Sequence, residues 1–449
     1  MADFPQARRT ILELGSPFYD AVEAADFPQT ILRFRNDRAA AEVGLADIDD
    51  DAWLRHFGRF TPLPGSLERP LALRYHGHQF RVYNPEIGDG RGFLFAQLED
   101  GSGRLMDLGT KGSGRTPWSR SGDGRLTLKG GVREVLATEM LGALGVPTSR
   151  SFSLIETGEA LERGDEPSPT RSAVLVRLNH GHIRIGTFQR LAYLRDAENM
   201  ARLVDYVLVH LHGDAPGDPV RLLENVVART ARLAARYMAA GFVHGVLNSD
   251  NINVMGESFD YGPWRFTPTW DPDFVAAYFD HAGLYAFGRQ PEAIHWDVMQ
   301  LAVALRTLSD AEPLIAALEA FPELYQRAVT DALLWRLGVI PRGEAEDRAT
   351  IQAIEPALRG EGTAIDGFFF DAFGGVIPDG HGAAFDAARA ALAAYRPRGD
   401  RTHPYWSGAS CSMLIDEVEA IWSAIDQHDD WAPFHAKIAG MRDMGAALA

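Results

Sequence analysis

His244-Gly245-Val246-Leu247-Asn248-Ser249-Asp250-Asn251-Ile252-Asn253-Val254, followed by Phe259-Asp260-Tyr261-Gly262, is the densest polar cluster of the chain. Two carboxylates and an amide fall within about ten residues and are flanked by short apolar runs. Oxygen donors of this kind suit a hard divalent cation, and Mg²⁺ commonly takes one or two protein carboxylates and completes its shell with nucleotide phosphates and water. The same residue types also build turns, because Asn and Asp side chains bond their own backbone. For an isolated stretch, a turn between two strands is the simpler reading.

The spacing shifts the balance towards chemistry. Catalytic loops of the protein-kinase type place an Asp two residues after His, a metal-binding Asn five residues further on, and then an Asp-Phe-Gly-type metal ligand. The corresponding frame here is His244, Val246, Asn251 and Asp260-Tyr261-Gly262. The two metal positions, Asn251 and Asp260, fit. Val246 stands where a kinase has its base and can neither accept a proton nor orient a hydroxyl, so Asp250 is the carboxylate in this loop able to act as base.

Such a site also needs a lysine on the phosphates, held by a glutamate from a helix. Lys111 follows a predicted strand, and Glu134 lies 23 residues later near the start of a predicted helix over 132–144, where Val132, Leu136, Met140 and Leu144 recur every fourth residue. Taken singly, Lys111 reads as a strand-end lysine and Glu134 as a carboxylate favoured by the helix dipole. The ordered set of four elements favours a nucleotide site. Gly88-Asp89-Gly90-Arg91-Gly92, Gly112-Ser113-Gly114-Arg115 and Gly122-Asp123-Gly124-Arg125 complete neither a dinucleotide-binding nor a P-loop fingerprint, but glycine beside arginine suits phosphate. Arg177 lies in an apolar strand, where an unpaired charge is costly, and Arg184 follows seven residues later, so Arg177 calls for an anionic partner. His76 and His78 lack a nearby third ligand and read as packed or hydrogen-bonded histidines.

Around these motifs, the first 190 residues or so carry short extended runs and glycine-rich turns, and residues 191–449 carry long apolar-periodic helices over 226–240, 296–308 and 384–395. Strands are expected at 93–98 and 104–108, joined by a hairpin, and at 151–155 and 173–178, joined by a polar loop over 159–171. The fold class is therefore α+β: a glycine-rich antiparallel sheet with one key helix, followed by a mainly helical part.

The 449 residues carry 44 Lys plus Arg against 61 Asp plus Glu, a formal charge of −17, which disfavours nucleic acid as a general partner. The single cysteine, Cys411, leaves no pair for a disulfide or a structural zinc site and reads as a buried small residue in a reducing compartment. Residues 1–10 lack a signal-peptide core, and no apolar run reaches membrane-spanning length, so the expectation is a cytoplasmic protein with no membrane partner.

Read together, these segments resemble the selenoprotein O (YdiU) family of protein-kinase-like protein adenylyltransferases. The resemblance rests on Gly-His-Gln-Phe at 77–80, Gly-Asp-Gly-Arg at 88–91 and 122–125, Lys-Gly-Ser-Gly-Arg-Thr-Pro-Trp-Ser-Arg at 111–120, Ile-Arg-Ile-Gly-Thr-Phe at 183–188, His-Gly-Val-Leu-Asn-Ser-Asp-Asn at 244–251 and Asp-Tyr-Gly-Pro at 260–263. It implies a bilobal kinase-like fold that binds ATP in a flipped orientation and transfers AMP to protein Ser, Thr or Tyr hydroxyls, releasing pyrophosphate. By matching position it implies that Lys111 pairs with Glu134 and contacts phosphates, and that Gly88, Gly90, Arg91, Asp123, Gly124, Arg177 and Arg184 surround the nucleotide. Asp250 would be the proton acceptor, and Asn251 and Asp260 would hold Mg²⁺ or Mn²⁺. Two other readings remain open: an ATP-binding pseudokinase that acts as a scaffold, which Val246 permits, and a small-molecule kinase with an unusual base.

Overall fold

The computed structural model describes residues 5, 7–164, 166–360 and 362–449. Residues 1–4 and 6, within the N-terminal stretch read above, and residue 165, within the 159–171 loop, lie outside the described residues.

Among the described residues there are twelve strands: β1 (Tyr19–Ala21), β2 (Ile31–Arg35), β3 (Leu71–Leu73), β4 (Gly77–Gln79), β5 (Val82–Asn84), β6 (Leu94–Glu99), β7 (Leu105–Lys111), β8 (Leu126–Thr127), β9 (Arg150–Leu161), β10 (Thr170–Asn179), β11 (Phe242–Val243) and β12 (Arg265–Phe266). The main sheet runs β1-β3-β6-β7-β10-β9-β2, with β8 added against β10, and its pairings are antiparallel. The β6–β7 hairpin forms where expected, because the Asp100 carboxylate accepts from the backbone N–H of Ser102 and Arg104 and closes the turn. Strands β9 and β10 extend into the stretch read as a loop, since Thr170–Leu161 and Arg171–Ala160 continue the ladder. Polar composition there marks the strand edges of a long hairpin, and local patterning could not show the cross-strand pairing that extends them.

Helices α1 (Asp37–Glu42) and α2 (Asp50–Phe57) cover one face of the sheet, and α3 (Leu128–Ala143) covers the other. Side chains alternate accordingly along β10: Val174, Val176 and Leu178 enter the cluster with Trp53 and Phe57, whereas Ala173 and Leu175 enter the cluster with Val132 and Leu136. Arg177 shares the parity of Ala173 and Leu175 and so faces α3. This helix starts four residues earlier than its periodicity indicated. Thr127 Oγ1 caps it by accepting from Gly130 N at 3.1 Å, and Gly130 and Gly131 lie inside it. Gly131 is required by close packing, as a Cβ there would strike the Leu154 side chain.

The later part is mainly helical, with α4 (Ile185–Leu194), α5 (Ala197–Tyr206), α6 (Pro219–Ala240) and α7 (Gln290–Leu305), followed by further helices to Leu448. Position 190 lies within α4. Helix α6 begins at Pro219, with Asp218 capping Val220 N and Arg221 N, and ends at Gly241 in the left-handed region (φ 67°). The expected 384–395 helix is instead a 3-10 turn at Ala383–Phe385 followed by Asp386–Leu392. The chain is thus an α+β protein with an antiparallel sheet and many helices. Among the described residues, no helix is long and apolar enough to cross a membrane.

Candidate active site

The polar cluster at 244–262 spans the connection between β11 and β12, which pair antiparallel. Within it, Ser249–Asn251 forms one 3-10 turn. The segment before α4 docks against this loop: Ile185 N donates to Ile252 O at 3.0 Å, and Val254 N donates to Ile183 O at 3.1 Å. That backbone pairing carries Arg184 into the centre of the site, where it is 2% exposed.

A cavity of about 800 Å³ lies between the sheet and this loop. Gly88, Gly90, Arg91, Lys111, Asp123, Gly124, Arg177, Arg184, Asp250, Asn251 and Asp260 all line it, together with Val246. Glu134 stands behind the wall, 2% exposed, with Oε2 2.5 Å from Lys111 Nζ. Arg177 approaches the other oxygen of Glu134 at 3.8 Å and forms a short ion pair with Asp260. Arg184 Nη1 donates to Asp260 Oδ2 at 2.7 Å and to the Asp250 backbone carbonyl at 2.9 Å, and its Nη2 lies 3.5 Å from Asp89.

Electrostatics follow from this packing. Burial alone would raise the Asp260 carboxyl, but Arg177, Arg184 and Lys111 outweigh it and hold the group well below the ordinary carboxylate range. Asp260 also adopts a left-handed backbone (φ 55°), a conformation that Asp tolerates better than most residues. Burial lowers the Lys111 amine against the pull of Glu134, and the positive charges of Arg91 and Arg177 add to the lowering. At Asp250 burial dominates, and despite Arg184 the carboxyl is pushed up to about 6. Its Oδ1 is buried without a hydrogen-bond partner.

The residues present fit a divalent cation bound with nucleotide. Asn251 Nδ2 donates to Val246 O at 3.0 Å, which leaves the amide oxygen turned away from that bond. Each Asp260 oxygen that meets an arginine keeps a second lone pair. Among the described residues no group of three or more His, Cys, Asp or Glu side chains is arranged to hold a metal by itself. Any ion here would draw its remaining ligands from phosphate and water.

The rim is organised by loop geometry. Asp123 Oδ2 meets Arg163 at 2.8 Å, and Asp123 Oδ1 accepts from Arg125 N at 2.9 Å. Gly124 sits at φ 72° against the backbone of Gly114, where no side chain fits. Gly88 packs on the Trp118 ring, which a Cβ would meet at 2.6 Å. His76 and His78 are both hydrogen-bonded, His76 to the Tyr83 hydroxyl at 2.8 Å and His78 to the Gln189 amide at 2.7 Å. Cys411 is half-buried, and burial pushes its thiol up.

Three contributors have contacts with Arg184 that the sequence does not indicate. Tyr75 lies under the Arg184 guanidinium, 4.2 Å from its ring centroid, and Phe259 lies under the same group at 4.7 Å. Asp89, raised by burial against the pull of Arg184, adds a third carboxylate near that arginine. Each meets Arg184 across a long sequence separation that no local pattern records.

The family model described as "Protein adenylyltransferase SelO" matches residues 6–373. The chain is 50% identical over 335 residues to a protein of Synechocystis sp. named protein nucleotidyltransferase YdiU, covering 73% of this chain and 69% of that protein. Proteins of the same name from Gloeobacter violaceus and Trichodesmium erythraeum are 44% and 41% identical, covering 96% and 95% of this chain and 93% and 96% of theirs. On these matches, the chain belongs to the SelO family of protein adenylyltransferases.

Proposed function

We propose that this nucleotidyltransferase moves the adenylyl group of ATP to Ser, Thr or Tyr hydroxyls of proteins and releases pyrophosphate. The fold we assign is protein-kinase-like and bilobal, with lobes of residues 1–190 and 191–449 and α4 crossing between them. One observation carries this reading: the cationic side chains Lys111, Arg177 and Arg184 and the oxygen donors Asp250, Asn251 and Asp260 line one cavity, with Val246 at the position of a kinase's base.

In this reading ATP lies with its α-phosphate towards the acceptor hydroxyl. Asp250 accepts the hydroxyl proton, and a carboxyl near 6 is ionised at neutral pH yet still basic enough for the task. The acceptor oxygen forms a bond to the α-phosphorus as the bond to pyrophosphate breaks. Lys111, fixed by Glu134, and Arg177 and Arg184 neutralise the departing charge. Backbone groups at Gly88 and Gly90 and the Arg91 side chain line the phosphate path, while Asp123 and Gly124 form its rim. Asn251 and Asp260 would hold Mg²⁺ or Mn²⁺, whose chemistry is to neutralise phosphate charge.

The partners proposed are ATP and hydroxyl-bearing proteins, with no nucleic acid, given the net charge of −17. The lone cysteine supports a reducing, cytoplasmic setting. Intact-mass analysis of an acceptor protein after incubation with the enzyme, ATP and metal tests the reaction. Addition of one adenylyl group is expected. Addition of one phosphoryl group would identify a kinase instead, and an unchanged mass with ATP bound would favour the scaffold.

A further inference from the structure

The β4–β5 hairpin does not belong to the main sheet. Gln79 pairs with Val82, so the turn consists of Phe80 and Arg81 alone, both at positive φ (51° and 63°). A two-residue turn of this kind ordinarily uses Asn and Gly, and bulky residues there are strained. Such strain persists only where surrounding structure holds it. Here the hairpin grips three successive residues of the loop that carries Asp250. Phe80 N donates to Asn248 Oδ1 at 3.0 Å, and His78 N donates to Ser249 Oγ at 2.7 Å. Gly77 backs directly onto the third, since a Cβ at position 77 would meet Asp250 Oδ1 at 2.7 Å.

Gln79 lines the same cavity as Asp250, and its amide approaches the Asp250 carboxylate closely enough to lower that group against the effect of burial. The orientation of the Gln79 amide is fixed from behind, because Asn84 Nδ2 donates to Gln79 Oε1 at 3.0 Å, which reserves the Gln79 N–H groups for other acceptors. Asp250 Oδ1 is buried with no partner of its own. The clamp is tied down further by Ser249 Oγ, which donates to Gln189 Oε1 at 2.6 Å, and by the bond between Gln189 and His78.

We propose that the β4–β5 hairpin is a positioning clamp for the catalytic loop, in which Gly77 backs Asp250 Oδ1, Asn84 orients Gln79, and Gln79 steers the Asp250 carboxylate towards the cavity. This rests on the reading of Asp250 as proton acceptor. Gln79 and Asn84 are positioning residues: they act on the rate of transfer through Asp250 and leave ATP binding to the opposite wall.

The test compares kcat and ATP affinity for Gln79→Met, which keeps the side-chain length without the amide, Asn84→Ala, the double variant and Asp250→Asn. Gln79→Met should lower kcat about 10- to 100-fold with the Kd for ATP unchanged within twofold. Asn84→Ala should give a smaller loss in kcat. The double variant should match Gln79→Met, because Asn84 acts only through Gln79. A Gln79→Met enzyme with wild-type kcat, or losses that multiply in the double variant, would overturn the clamp. Asn84 lies on the partly exposed hairpin, so its variant tests the relay even if Gln79→Met fails to fold, and a wild-type kcat there overturns it. Full activity in Asp250→Asn would instead overturn the underlying reading of Asp250, a result distinct from failure of the clamp.

Discussion

Arg184 Nη1 stands 2.7 Å from Asp260 Oδ2 and 2.9 Å from the Asp250 carbonyl oxygen, so one buried guanidinium ties together the two carboxylate-bearing positions of the loop. Arg177 completes the arrangement on the other Asp260 oxygen. Asp260 is therefore an internal anion that stands among the cations proposed to meet phosphate. Removing Asp260 leaves two buried guanidinium groups without their main partner. Asp260→Ala should abolish metal-dependent transfer and cost about 3–5 kcal/mol of folding stability. Urea unfolding beside an α-label transfer assay checks both, and a fully active variant would defeat the metal assignment.

Lys111 is the second test of the cationic wall. Its amine is buried and fixed by Glu134 at 2.5 Å. Lys111→Met should lower kcat/KM for ATP by about 10²–10³-fold. Lys111→Arg should not restore it, because the planar guanidinium cannot reproduce a point charge in that buried slot. Steady-state kinetics on the two variants decide the matter.

Much of this site was legible in the sequence because its residues come as short motifs. Lys111 was readable at a strand end, Glu134 on a periodic helix, and Asn251 and Asp260 from their spacing within one loop. The helix starts at Leu128, ahead of the Gly130-Gly131 pair that looks like a boundary, because Gly131 is a packing glycine under Leu154. The ends of β9 and β10 were hidden because pairing between Leu161 and Thr170 is a cross-strand property. Tyr75 and Asp89 reach Arg184 only through the folded backbone. The hairpin that carries Gln79 is visible as a motif, but its bond from His78 to Ser249 spans 171 residues, and no periodicity encodes it.

Asp250 makes a prediction about stability and pH. Its carboxyl is raised by burial to about 6 in the folded chain, against about 3.9 in an unfolded one. The folded state thus binds the proton more tightly, and the neutral acid contributes stability that is complete below about pH 4 and lost as pH rises through 6. Asp250→Asn mimics the neutral form. In metal-free and nucleotide-free protein it should be more stable than wild type by about 2–3 kcal/mol at pH 8, with the difference shrinking towards pH 4. Denaturant titrations at the two pH values measure this, and a pH-independent difference would contradict it.

Cys411 should be dispensable for transfer. The thiol is half-buried and raised by burial, so little thiolate exists at neutral pH. Cys411→Ser should keep activity within about twofold, and alkylation of Cys411 in the folded enzyme should be slower than that of an unhindered thiol. Timed alkylation followed by mass spectrometry checks the rate.

The most direct measurement uses ATP labelled separately on its α- and γ-phosphates, incubated with the protein, Mg²⁺ or Mn²⁺ and an acceptor. Covalent retention of the α-label alone, with the γ-label recovered in pyrophosphate, is the result expected. Retention of the γ-label on protein, or of neither label while ATP is bound, would contradict adenylyl transfer.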